Sequence, residues 1–75
     1  MLAKLIDNFS SPIDVEFFGT PSIGATIELQ ARSLKFVVGR DYKLRVDNGI
    51  EWRIRISDVQ TENSASAEVT GNLTK

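Results

Sequence analysis

The chain reads as mainly β, a short N-terminal helix followed by a five- or six-stranded antiparallel small barrel or sandwich. Three observations predict this class. Apolar residues alternate with polar ones from residue 13 onward, turn-forming Gly, Pro and Asn punctuate those alternations, and a separate helical spacing occupies the first nine residues. A length of 75 residues fits one small domain, read as a helix over 1–9, a β core over 12–59, and a final edge strand or flexible tail over 60–75.

At the start, Leu2, Leu5, Ile6 and Phe9 fall at i, i+3, i+4 and i+7, one stripe of a two-turn helix stopped by Ser10-Ser11-Pro12. Ile13, Val15 and Phe17 then alternate with Asp14, Glu16 and Phe18, and Ala25, Ile27, Leu29 and Ala31 alternate with Thr26, Glu28, Gln30 and Arg32. The Gly-flanked connection at residues 19–24 is too long for a two-residue hairpin. It lacks the Gly-Lys-Ser/Thr ending of a phosphate loop and has no helix after it, so it reads as a plain connector. Leu34, Phe36 and Val38 form a further alternating run, out of phase with the previous one, and a bend or bulge through Arg32-Ser33 would reconcile the two.

The next hairpin can be registered from sequence. A two-residue Asn48-Gly49 turn would set Leu44 against Arg53, apolar against charged. A three-residue loop Asp47-Asn48-Gly49, with Gly49 in the left-handed conformation of a G1 bulge, instead pairs Val46 with Ile50, Leu44 with Trp52 and Tyr42 with Ile54. The opposite face then pairs Arg45 with Glu51, Asp41 with Arg55, and Lys43 with Arg53. The last is a directly opposed like-charge pair, costing a few tenths to ~1 kcal/mol. Beyond it, Ala65, Ala67 and Val69 alternate as a candidate final strand.

Composition excludes more functions than it suggests. Without Cys there is no disulfide, thiolate metal site or thiol nucleophile, and without His the commonest general base and metal ligand is missing. No Ser or Lys stands in a recognisable nucleophile motif. Asp14, Glu16 and Glu28 could share a sheet face, but their spacing is that of any solvated strand. No metal, cofactor or catalytic residue is therefore expected. No apolar run reaches the ~20 residues of a membrane helix, and residues 1–9 lack the form of a secretory signal, so a soluble, cytoplasmic protein with no membrane partner is expected.

Charge is uneven behind a net of −1. Residues 1–31 hold four carboxylates against Lys4, residues 32–55 hold seven cations against three carboxylates, and residues 56–75 hold three carboxylates against Lys75. Such a chain can present a basic face to an anion or to the acidic face of another copy. With Leu2, Leu5, Phe9, Phe18 and Val37 as candidate interface residues, the reading is a non-enzymatic protein–protein interaction or assembly module. Its partner is itself or another protein. The alternative is an anion-binding barrel, for a nucleotide or RNA phosphate, using Lys43, Arg53, Arg45 and Arg55. A pI of about 5.2 and the inward placement of Tyr42 and Trp52 disfavour nucleic acid.

A helix followed by short bent strands, with the hairpin Arg45-Val46-Asp47-Asn48-Gly49-Ile50-Glu51, loosely resembles the Sm-like barrels, which form rings and bind RNA. That family's hairpin lies early in its barrel, whereas here few apolar residues follow Ile56, and no site residue is carried over.

Overall fold

The computed structural model describes residues 2–6, 12–32, 35–46 and 49–73. Their six strands are β1 (Leu2–Ile6), β2 (Ile13–Phe18), β3 (Thr26–Gln30), β4 (Asp41–Val46), β5 (Glu51–Thr61) and β6 (Ser64–Asn72). All neighbouring strands are antiparallel, and they close into a barrel in the order β1-β2-β3-β6-β5-β4. Closure leaves no full-length sheet edge, the feature by which flat sheets recruit further strands.

The N-terminal helix expected over residues 1–9 is not seen among the described residues. Residues 2–6 are a strand whose inward positions are Ala3 and Leu5, both buried, while Leu2 and Lys4 face outward. Five residues can satisfy a helical and a strand period at once, and an isolated two-turn helix is marginal in water. What decides is pairing: Ala3 opposes Val15 on β2 and Val46 on β4, so β1 closes the barrel between them. Leu5, expected at an interface, is 1% exposed and belongs to the core. Phe9 lies outside the described residues.

The interior follows from the alternation. Val15 and Phe17 from β2, Ile27 and Leu29 from β3, Tyr42 and Leu44 from β4, Ile54 and Ile56 from β5, and Ala65, Ala67 and Val69 from β6 all turn inward. Each fully buried aliphatic side chain contributes roughly 1.5–3 kcal/mol of transfer free energy. Large and small residues alternate around the wall: Ala67 stands between Ile27 and Ile56, and Ala65 between Leu29 and Val59. The small side chains of β6 leave room for the bulky ones beside them. Expected as an edge strand or tail, β6 is an interior strand paired on both sides.

The β4–β5 hairpin has the register its loop requires. Leu44 opposes Trp52, Tyr42 opposes Ile54, and Lys43 opposes Arg53. The Val46 amide donates to the Ile50 carbonyl at 3.0 Å, and the Gly49 amide donates to the Val46 carbonyl at 2.9 Å. Gly49 has φ of 86°, the left-handed region that a residue without Cβ enters at little cost. Asp47 and Asn48 lie outside the described residues.

The Leu34, Phe36, Val38 run is not a strand over its described residues. The described residues between β3 and β4 belong to the crossing that passes the β5–β6 hairpin, since β3 and β4 are not neighbours. At one end the Ala31 amide donates to the Asn63 carbonyl, and at the other the Gly39 amide donates to the Ile56 carbonyl. Phe36 is buried in the core, whereas Val37 and Val38 are exposed. Leu34 lies outside the described residues.

Candidate functional site

Among the described residues the inward positions are apolar but for the buried hydroxyl of Tyr42, and every charged side chain lies on the outer faces. On the wall made by β4 and β5, three successive rungs are charged on both strands: Asp41 with Arg55, Lys43 with Arg53, and Arg45 with Glu51. The outer two rungs are joined by ion pairs. Arg45 meets Glu51 at 2.9 Å, and Arg55 Nε donates to Asp41 Oδ1 at 2.9 Å. The hydrogen bond from Arg55, helped by the positive charge of Arg55 and then Arg53, holds the Asp41 carboxyl below its ordinary value. The same bond raises the Arg55 guanidinium.

The middle rung differs. Lys43 and Arg53 face each other, and neither makes an ion pair or side-chain hydrogen bond with a described residue. Their row continues to Ile6 on β1 and Gly71 on β6. Gly71 adds no side chain next to Arg53, and the register shifts between Arg53 and Ile54, so the sheet bulges beside this residue. Such bulges re-aim a side chain relative to its neighbours.

Across the barrel, three strand steps away in either direction, β2 and β3 form the opposite wall. Asp14, Glu16 and Phe18 face outward from β2, and Thr26, Glu28 and Gln30 from β3. The strands carry three carboxylates and no cation. Asp14 is joined to Lys4 of β1. Glu16 and Glu28 have no ion-pair partner among the described residues, and they sit diagonally about Phe18, which opposes Glu28. Asp14, Glu16 and Glu28 do not converge into a group able to hold a metal. An open groove of about 940 Å³ runs along this side, lined in part by Leu2, Asp14, Glu16, Gln30, Arg32 and Ser64.

The apolar candidates are scattered. Leu2 opposes Glu16 and is 66% exposed, and Phe18 stands two residues further along β2 at 44%. Those two lie on one diagonal of the outer face, within reach of each other's side chains. Val37 lies in the β3–β4 crossing and belongs to no strand. Ile23, 69% exposed in the β2–β3 connection, was not anticipated, because a lone apolar residue between glycines carries no periodic signal.

No helix among the described residues is long and apolar enough to cross a membrane. Comparison with protein-family models, curated proteins and solved structures gave no significant match.

Proposed function

We propose that the chain is a non-enzymatic protein-interaction module that associates with itself. The observation that carries this reading is the pair of opposed outer walls, an acidic β2–β3 face and a predominantly basic β4–β5 face. Each bears charges that have no ion-pair partner among the described residues. Phe18 supplies exposed aromatic area in the middle of the acidic wall, and aromatic residues are enriched at the centres of protein interfaces. With its strands closed on themselves, the barrel would bind through these side chains and not by adding a strand. Sedimentation velocity across a concentration series, at low and moderate salt, tests this. Association that weakens with salt is expected, and a monomer throughout would end the reading.

A second reading has its own observation. Lys43 and Arg53 are opposed like charges, and neither has an ion-pair partner among the described residues, an arrangement that a phosphate would neutralise. Binding of short RNA or of mono- and cyclic nucleotides, lost in Lys43→Gln and with a shallower salt dependence, would support an anion site on this face. No binding at low salt would remove it.

A further inference from the structure

We infer that self-association is head-to-tail: the acidic wall of one copy, through Glu16, Phe18 and Glu28, seats on the Lys43–Arg53 rung of the next. The inference rests on the self-association reading and adds its polarity and residues. It follows from which charges the barrel satisfies internally and which it does not. On the two walls and the adjoining β1, Lys4 is joined to Asp14, Arg45 to Glu51 and Arg55 to Asp41. Among the described residues of these walls, the charged side chains left without an ion-pair partner are Glu16 and Glu28 on one and Lys43 and Arg53 on the other. Two carboxylates and two cations are thus left on opposite sides of the same molecule.

Their spacings are compatible. Lys43 and Arg53 are directly opposed across β4 and β5, at roughly 5 Å between Cβ atoms, and Glu16 and Glu28 are diagonal across β2 and β3, at roughly 7–8 Å. Long side chains take up the difference. Phe18 opposes Glu28 and is two residues from Glu16, so it would arrive between the two cations, where an aromatic face attracts a guanidinium. Gly71, opposite Arg53, adds no side chain of its own beside that guanidinium.

The polarity follows from the strand order. β2 lies opposite β5 in the ring and β3 opposite β4, so the two walls point in opposite directions. A contact between unlike walls on opposite sides is heterologous: each copy that joins leaves one acidic and one basic wall free. The product is an open-ended chain of barrels, not a closed two-fold dimer.

Two blocked variants test this. Glu16→Gln with Glu28→Gln disables the acidic wall, and Lys43→Gln with Arg53→Gln disables the basic wall. All four residues are exposed, so both proteins should keep the wild-type circular dichroism spectrum. In native mass spectrometry and sedimentation, wild type should grow beyond two copies as concentration rises. Each blocked variant alone should associate at least tenfold more weakly. An equimolar mixture of the two should recover association but stop at one copy of each, because only one competent contact remains. A wild type that stops at a dimer overturns the head-to-tail inference while leaving self-association standing. A monomeric wild type removes both, and blocked variants that associate like wild type place the contact elsewhere.

Discussion

The β2–β3 and β4–β5 hairpins have the same interior and different exteriors. Inside, each contributes four buried apolar residues, Val15, Phe17, Ile27 and Leu29 against Tyr42, Leu44, Ile54 and Ile56. Outside, two of the three charged rungs of β4–β5 are compensated across the hairpin, whereas β2–β3 has no internal cross-strand ion pair among its described rungs. The difference teaches that the fold constrains the inward positions and leaves the outward ones open. Exposed ion pairs of this kind contribute at most ~1 kcal/mol each. Leaving Glu16 and Glu28 without an ion-pair partner among the described residues therefore costs little stability and is consequential for contact.

If the interiors are equivalent, truncating one buried residue in each hairpin should be equally damaging. Leu29→Ala and Ile54→Ala should each destabilise by about 2–5 kcal/mol in urea denaturation. A marked inequality would show that one hairpin carries the core. The next largest effect separates the connections: Gly49→Val should cost on the order of 1 kcal/mol or more. An added Cβ would meet nothing within 4 Å there, so the loss would come from the left-handed backbone and not from a clash. Smaller still is the response of the unpaired charges. Lys43→Gln should leave stability unchanged or raise it by up to ~1 kcal/mol, by relieving repulsion with Arg53. Glu16→Gln should change it by no more than about 0.5 kcal/mol, having no opposed charge to lose.

The smallest effect is on titration. A carboxyl depressed in the folded state contributes stability that is present above its unfolded value of about 4 and is lost as pH falls through the folded value. Asp41 should therefore titrate below the ordinary range by carbon-13 NMR, and contribute slightly to acid destabilisation. Arg55→Gln should return it most of the way, and Arg53→Gln by less, since Arg53 acts through charge alone.

Much of this architecture is legible in the residues, and the exceptions have physical causes. The β4–β5 register follows from one requirement, that apolar meet apolar across a loop containing Gly49, and the chain meets it. At the N-terminus the inward Ala3 is too small to mark a strand, and the larger Leu2, Leu5 and Ile6 mimic a helical stripe; the deciding contacts with Val15 and Val46 are distant in sequence. Around Phe36 a two-residue period is present without a neighbouring strand to pair with, so one side chain enters the core and Val38 turns outward. The charge blocks are visible along the chain, and so are Lys43 and Arg53 as an uncompensated rung. Their position diametrically across from Glu16 and Glu28 is not visible, because it depends on β6 being inserted between β3 and β5.

That insertion also governs how the barrel is made. β1 must find β4 some forty residues away, and β3 must wait for β6 across an intervening hairpin. Contacts this distant in sequence place folding in the millisecond-to-second range typical of β barrels, because loop-closure entropy is spent before pairing compensates it. As the chain leaves the ribosome, β3 keeps a bare hydrogen-bonding edge until Ser64–Asn72 has been synthesised. Over that interval its unpaired backbone is open to β strands of other nascent chains, a hazard that ends when β6 docks.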